Sequence, residues 1–400
     1  MVTLAVVGTD CKLLFRKPIA IQFLLKRENP ISTLVQIEEF LSLREHLPLV
    51  DVRAPIEYAE ARISDAINIP LFEDEERAAI GTAYKKNGHR AAVLKGLDYV
   101  GPKMRRLADR TLKLVRDFGR RRTTLSPELK PALASGDVGR AELARNNQIL
   151  VHCARGGMRS ESFCWLAEQV ELEALRLEGG YKSYRRFAQN HFSKSWNLVV
   201  LTGLTGAGKT RQLHHLHELG EQVLDLEGLA NHRGSAFGGI GQGGQPRTEQ
   251  FENVIFESLY RMDPSRRIWI EDESRAVGQC MVPNAFFDQL HSAPAIFMDV
   301  DVSRRARNLV VDYGDLPQDE MNAAIDRISK RLGGQNVNSA KETLAGKELE
   351  QCARILLEYY DKTYMVCQDK NPRTVTLKTA MGEMNLEERS KAILRASETL

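Results

Sequence analysis

The feature that most constrains the fold of this chain is an apolar strand followed by the glycine-rich loop Gly203–Thr210. The strand reads Asn-Leu-Val-Val-Leu-Thr, and the loop matches the pattern G-x-x-x-x-G-K-[ST]. Glycines let backbone N–H groups face phosphate oxygens, the lysine adds a positive charge, and the threonine can hold Mg²⁺. A glycine turn without a ligand is the alternative, but the strand and the following helix favour a phosphate site. The predicted diphosphate-binding residues are Gly203, Gly206, Gly208, Lys209 and Thr210.

Further apolar segments alternate with helical patterns after this loop, which predicts an α/β unit with a parallel, doubly wound sheet. They are Gln222–Leu226, Arg267–Glu271 and Ala295–Val300. We assign this P-loop domain to residues 196–316 and a helical C-terminal region to residues 317–400.

Two groups of polar residues follow strands of this unit. Asp272 is the predicted Mg²⁺ ligand beside Thr210, and its neighbours Glu271 and Glu273 are alternative ligands. If no metal binds, these residues are simply the solvated end of a strand. In the segment 231–237 the candidates for contacting the nucleotide or diphosphate are His232, Arg233 and Ser235, and a set of loop-stabilising hydrogen bonds is equally compatible. No Asn-Lys-x-Asp segment selects a base.

A second strand ends at Cys153, and a glycine-containing loop follows it, in the segment Val-His-Cys-Ala-Arg-Gly-Gly-Met-Arg-Ser. Cysteine-dependent phosphatases have a similar loop, in which backbone amides and arginines stabilise a thiolate. We therefore predict Cys153 as a nucleophile, with Arg155 and Arg159 as its anion-binding partners; a buried, unreactive cysteine is the alternative. No Trp-Pro-Asp segment supplies the general acid that a phosphatase needs.

Composition limits the remaining choices. A chain of 400 residues is expected to form several domains, and 42% apolar with 27% charged residues is typical of a soluble globular protein. The net charge of +3 indicates no partner by itself. Six cysteines without a C-x-x-C pair argue against structural zinc or disulfides and favour a cytoplasmic location. We interpret residues 1–32 as an N-terminal extension, with a targeting segment as the alternative; its apolar run is too short to span a membrane. We expect a monomer.

The residues around the Cys153 loop resemble the rhodanese, or sulfurtransferase, domain. The similar segments are Asp-Val-Arg-Ala-Pro-Ile-Glu-Tyr at 51–58, Ala-Ile-Asn-Ile-Pro at 66–70 and Glu-Gly-Gly-Tyr at 178–181. The resemblance implies a rhodanese-like domain at residues 33–193, whose cysteine carries sulfur or selenium. This chain departs from plain rhodaneses in a longer cysteine loop and in a helical insertion at about residues 73–146. We also predict a capped amphipathic helix from Ser32.

Four further segments extend the resemblance to the tRNA 2-selenouridine synthase family: residues 76–81, 225–238, 271–275 and 358–361. The family replaces the sulfur of 2-thiouridine at the tRNA wobble position by selenium. The resemblance implies that geranyl diphosphate, bound by the P-loop, alkylates the sulfur. Selenophosphate then supplies selenium, which Cys153 carries, and the geranylthiol leaves.

A tRNA partner needs a basic surface, and residues 103–122 contain nine Lys or Arg against two Asp. Within this run we predict Arg120, Arg121 and Arg122 as RNA contacts, with a solvated helix face as the alternative. Two other functions stay open from the residues alone. One is a P-loop kinase with an attached sulfurtransferase or phosphatase-like domain, and the other is a nucleotide-gated binding protein whose rhodanese domain senses redox state.

Overall fold

The structure, a computed structural model, describes residues 32–125, 147–370 and 375–400. In the first part of the chain five short parallel strands form a sheet in the order β1-β5-β4-β2-β3, so β4 is central. The strands are β1 (Thr33–Val35), β2 (Leu49–Asp51), β3 (Ile67–Asn68), β4 (Gln148–His152) and β5 (Glu173–Leu177). The helices are α1 (Ile37–Leu43), α2 (Pro55–Glu60), α3 (Asp74–Val100), α4 (Met104–Leu125), α5 (Met158–Gln169) and α6 (Gly180–His191).

The first helix begins later than the sequence pattern predicts. Residues 33–35 pair with β5 as an edge strand, and α1 starts only at Ile37. Helices α3 and α4, joined by a 3₁₀ turn at Gly101–Lys103, occupy the insertion between β3 and β4. The rest of the predicted insertion, residues 126–146, and the proposed extension up to residue 31 lie outside the described residues.

A second parallel sheet has the order β12-β11-β6-β8-β7, with β6 at its centre. Its strands are β6 (Leu198–Thr202), β7 (Gln222–Leu224), β8 (Ile268–Glu271), β11 (Ala295–Asp299) and β12 (Val375–Ala380), and a hairpin pairs β9 (Ala276–Val277) with β10 (Cys280–Met281). The helices are α7 (Lys209–Glu218), α8 (Leu226–Ala230), α9 (Thr248–Tyr260), α10 (Asn284–Ser292), α11 (Val302–Tyr313), α12 (Gln318–Leu332), α13 (Gly334–Ala345), α14 (Leu349–Lys370) and α15 (Leu386–Ser397). The α/β prediction with parallel sheets and helical content is confirmed.

The C-terminal part is not entirely helical, because β12 joins the second sheet beside β11. Side chains of β12 alternate between half-buried and exposed, as expected for an edge strand. Nothing in the described ranges is a helix long and apolar enough to cross a membrane.

Apolar side chains cover both faces of the second sheet. Val200 and Ile270 belong to one buried cluster, whereas Val199 and Trp269 belong to another on the opposite face. The first of these clusters also contains Leu150 of β4, so the two sheets share a continuous apolar core. Burying that core stabilises both parts of the chain together.

Helices α6 and α9 form much of the contact between the two parts. Arg44 of the first part donates to Glu257 of α9, with Nη1 2.6 Å from Oε1, and both side chains are only 5% exposed. The Tyr184 hydroxyl donates to the same carboxylate at 2.9 Å. Tyr181 donates to Glu249 at 2.9 Å and accepts from Asn253 at 2.8 Å. Burial and pairing of these polar groups fix one relative position of the two helices.

Candidate active sites

The loop Gly203–Thr210 follows the central strand β6 and leads into α7, as expected for a P-loop. Gly206 has φ 81°, and a Cβ at this position would lie 2.8 Å from the Arg305 carbonyl oxygen, so only glycine fits. The Lys209 ammonium donates to the Gly203 carbonyl at 3.0 Å. The side chain of Lys209 therefore lies back over the loop and contacts its first residue.

Helix α11 supports this loop from outside. Buried Arg305 donates through Nη1 to the Thr205 carbonyl at 3.1 Å and forms a bidentate ion pair with Asp361 of α14. Asn308 donates to the Gly206 carbonyl at 2.8 Å. These contacts hold the Thr205 and Gly206 carbonyls on the outer side; the Ala207 amide donates to the Leu204 carbonyl at 3.0 Å, and the other loop amides can face an anion.

Three carboxylates lie beside Thr210, and their oxygens are all within 4.8 Å of one another: Glu227, Glu271 and Glu273. The Thr210 hydroxyl is 3.1 Å from Glu227 Oε2 and 3.2 Å from Glu271 Oε2. Burial and the neighbouring carboxylates raise the pKa of Glu273 to about 8 and that of Glu271 well above its ordinary value. Such a cluster of oxygen ligands fits Mg²⁺, because a cation would relieve the repulsion that raises these pKa values.

Asp272, the predicted Mg²⁺ ligand, lines the same cavity but does not belong to this cluster of three glutamates. Its Oδ2 accepts a hydrogen bond from the Thr202 hydroxyl at 2.6 Å. Glu271 and Glu273, the alternatives considered from the sequence, are in the cluster. Glu227 comes from α8, and sequence reasoning did not select it, although it lies in the segment 225–238 that carries the family resemblance.

A cavity of about 490 Å³ extends from the P-loop between α11, α12 and α14. Polar groups of the loop and of the carboxylate cluster form part of its wall. The rest of the wall consists mainly of apolar and aromatic side chains: Phe237, Leu309, Val310, Met321, Leu349, Ala353, Leu356, Tyr360 and Tyr364. The cavity therefore combines a site for phosphate with a site for an apolar group.

Two of the three candidates in the segment 231–237 line this cavity. Arg233 lies with its guanidinium carbon 5.3 Å from the centre of the Tyr313 ring and donates to the Asp312 carbonyl at 2.7 Å. Ser235 also lines the cavity. The third candidate, His232, does not line the cavity that the described residues form. Burial lowers the pKa of its imidazole.

Cys153 lies at the carboxyl end of the central strand β4 and is 3% exposed. Its Sγ is 3.2 Å from the Ser160 hydroxyl, and its carbonyl accepts from the Tyr181 N–H at 2.8 Å. By contrast, Cys164 lies within α5, and burial raises the pKa of that thiol to about 12. The sequence analysis did not identify Ser160 as a partner of the thiol.

The two predicted arginine partners of Cys153 have different surroundings. Arg155 is exposed. Arg159 pairs with Glu57 of α2, with Nη1 2.6 Å from Oε2, and Arg77 contacts the same carboxylate at 3.0 Å. Burial favours the neutral form of Glu57, but the hydrogen bond and charge of Arg159 outweigh it and lower the Glu57 pKa. Glu57 therefore orients Arg159 beside the loop.

The predicted RNA contacts at Arg120, Arg121 and Arg122 fall on α4. The positions of their side chains lie outside the described part of the structure. This assignment stays a prediction.

Comparisons with known proteins support one family. A family profile described as the tRNA 2-selenouridine synthase AAA domain matches residues 196–391. A tRNA 2-selenouridine synthase of Hydrogenovibrio crunogenus is 33% identical over 80% of this chain and 89% of its own length, and one of Aeromonas salmonicida is 32% identical over 80% and 87%. A solved N-terminal domain of an ATP/GTP binding protein from Clostridium difficile is 36% identical over 39% of this chain and 98% of that chain, with a TM-score of only 0.29. The chain belongs to the tRNA 2-selenouridine synthase family.

Proposed function

We propose that this chain converts 2-thiouridine of tRNA to 2-selenouridine, by S-geranylation at the P-loop cavity and then selenation at a rhodanese-like Cys153 site. Its relatives are named tRNA 2-selenouridine synthase, after the product of this conversion. The observation that carries the first step is the mixed wall of the P-loop cavity. A phosphate loop and a set of apolar side chains line one space of about 490 Å³, within the roughly 300–1,000 Å³ of small-molecule sites.

Geranyl diphosphate fits both parts of this wall. Its diphosphate would bind the loop amides and Lys209, and its hydrocarbon chain would contact side chains such as Leu309, Met321 and Leu356. The wall also carries polar side chains such as Arg233 and Ser235, but its aliphatic side chains match a hydrocarbon chain better than a ribose and a base. The composition of the wall therefore favours a prenyl diphosphate over ATP.

In the first step the thiocarbonyl sulfur attacks C1 of the geranyl group, and the bond from C1 to the diphosphate oxygen breaks. Negative charge develops on the leaving diphosphate, where the loop amides and Lys209 stabilise it. The uridine gives up its N3 proton, which leaves a neutral S-geranyl nucleoside. Alkylation converts a poor leaving group into a thiolate that selenium can displace.

Mg²⁺ bound by Thr210 with Glu227, Glu271 and Glu273 would supply positive charge next to the diphosphate. Without it, these crowded carboxyl groups would either hold protons or repel a diphosphate. The raised pKa values of Glu271 and Glu273 reflect this crowding of negative charge. We therefore include Mg²⁺ as the cofactor of the P-loop site.

In the second step selenium from selenophosphate replaces the S-geranyl group at C2. Hydrolysis of selenophosphate gives selenide and phosphate; selenide adds at C2, geranylthiol leaves with one proton, and N3 regains the other. Cys153, beside Ser160, holds the released selenide without a covalent bond, so selenium keeps its oxidation state until it adds at C2, and Arg155 and Arg159 bind the phosphate of the donor. The burial of Cys153 at the end of β4 protects such a carrier from solvent.

The test uses tRNA that contains 2-thiouridine and mass spectrometry of its nucleosides. We expect S-geranyl-2-thiouridine with geranyl diphosphate alone, and 2-selenouridine once selenophosphate is added. Release of phosphate from ATP in proportion to turnover would support the P-loop kinase instead. If 2-thiouridine stays unchanged with every donor, the proposed activity is wrong.

A further inference from the structure

The insertion between β3 and β4 contains a helical hairpin with an exposed end. The helical run of α3 is interrupted at Gly88, whose φ of 79° and ψ of −174° define a conformation open essentially to glycine alone. The helical segments before and after Gly88 contact each other. Ile80 and Gly96 each lie eight residues from Gly88, and a Cβ on Gly96 would be 3.9 Å from Ile80 Cδ1. The chain therefore doubles back at Gly88. We call residues 84–90 the hairpin tip, and every one of them is exposed.

The hairpin tip is strongly basic. It contains Lys85, Lys86, His89 and Arg90, and no Asp or Glu occurs between residues 78 and 97. None of its Lys or Arg side chains forms an ion pair with a carboxylate within the described ranges. An unpaired cationic cluster at the end of a projecting hairpin is available for a polyanion.

The basic run on α4 has a different environment. Lys103 pairs with Glu76, and Arg106 lies 3.9 Å from Glu73. Within α4 itself, Arg105 pairs with Asp109 and Lys113 with Asp117 at i, i+4 spacing. Carboxylates therefore neutralise several positive charges in the first half of this run. In the sequence alone, that half and the hairpin tip have a similar density of Lys and Arg.

We propose that the hairpin tip binds the phosphate backbone of the tRNA, an inference that rests on the proposed tRNA-modifying function. Lys85, Lys86 and Arg90 each neutralise a phosphate and release its counterions. Tyr84, 58% exposed at the same tip, presents an aromatic face on which an unpaired base can stack. The hairpin extends the RNA contact beyond the two loops that carry the chemistry.

The experiment compares the tRNA affinity of the wild type and of the triple variant K85Q/K86Q/R90Q over a range of salt concentrations. Loss of three phosphate contacts reduces the slope of log K against log salt by about 3 and weakens binding about 10- to 100-fold at low salt. The matched control K341Q/K378Q/K391Q removes the same charge from lysines that pair with Asp326, Asp299 and Glu387. We expect the control to bind like the wild type.

Product formation separates this inference from the proposed function. At saturating tRNA the triple variant should form 2-selenouridine at the wild-type rate, since its substitutions lie outside both loops, and only its KM for tRNA should rise. Unchanged affinity and salt slope in the triple variant, with an unchanged melting temperature, would overturn the tip as an RNA contact. Failure of the wild type to form 2-selenouridine would instead reject the proposed function.

Discussion

The Cys153 loop and the P-loop are built in the same way but differ in their charges. Each follows the central strand of a five-stranded parallel sheet and leads into a helix. Beside Cys153 the charged neighbour is Arg159, already paired with Glu57. Beside Thr210 there are three crowded carboxylates with raised pKa values. One architecture thus presents a paired arginine at one loop and a cluster of carboxyl groups at the other.

The comparison is tested most strongly by removing the reactive group of each loop. Lys209→Ala should lower the rate of S-geranylation about 10²- to 10³-fold, because a donor to the leaving diphosphate is lost. Cys153→Ser should leave that rate unchanged and abolish 2-selenouridine, so that the S-geranyl nucleoside accumulates. Nucleoside mass spectrometry reads both products from one reaction. Equal loss of both products in the Cys153 variant would contradict two separate sites.

The shared core predicts that the two loops belong to one cooperative unit. Arg44→Met leaves the buried Glu257 carboxylate without its ion pair and should lower the free energy of unfolding by about 3–5 kcal/mol. The double variant R44M/E257L should recover part of that loss, because it buries no unpaired charge but leaves the Tyr184 hydroxyl without its acceptor. Urea unfolding followed by circular dichroism measures both. Two separate transitions in the wild type would show that the units unfold independently.

The apolar wall of the P-loop cavity should determine the KM for geranyl diphosphate. Ala353 lines the cavity and is 7% exposed, so Ala353→Leu places extra methyl groups in that space. We expect the KM for geranyl diphosphate to rise about tenfold with the KM for selenophosphate unchanged. Steady-state kinetics of the separate steps checks this. Ala340→Leu, a buried alanine of α13 outside the cavity wall, is the control for loss of stability alone.

The smallest effect expected is a pH dependence of the P-loop site. The native pKa of Glu273, about 8, lies above its ordinary value of 4.5, so the unfolded chain ionises first and the native state loses stability as the pH rises through this interval. Mg²⁺ binding at pH 7 should then release a fraction of a proton. Calorimetry in two buffers of different ionisation enthalpy measures this release, which Glu273→Gln should reduce. Equal proton release by wild type and variant would remove Glu273 from the site.

Local patterns predicted the parts of each site that lie close together in the chain. The Gly203–Thr210 loop follows a strand and opens a helix, as its spacing indicates, and Cys153 ends a strand. The domain boundaries, the rhodanese assignment and the roles of these residues stay predictions. Edge strands were harder to predict: β1 has three residues, and β12 exposes alternate side chains, so neither presents a long apolar run.

Contacts between distant residues could not be predicted from spacing. Glu57 and Arg159 are 102 positions apart, and Glu227 reaches Thr210 from a different strand end. The sequence shows residues 103–122 as a continuous positive run, whereas in the structure several of its Lys and Arg side chains form ion pairs with carboxylates. The sequence alone does not show which basic side chains form ion pairs, because partners such as Glu73 and Glu76 are distant in the chain.

The core shared by the two sheets also has a consequence for dissecting this protein. Cutting the chain near residue 195 would separate α6 from α9 and uncover apolar side chains such as Tyr184, Phe192 and Phe256. Each fragment would expose an apolar surface that is complementary to the surface of the other fragment. Fragments produced together should therefore associate and complement each other in trans, whereas either one alone should aggregate.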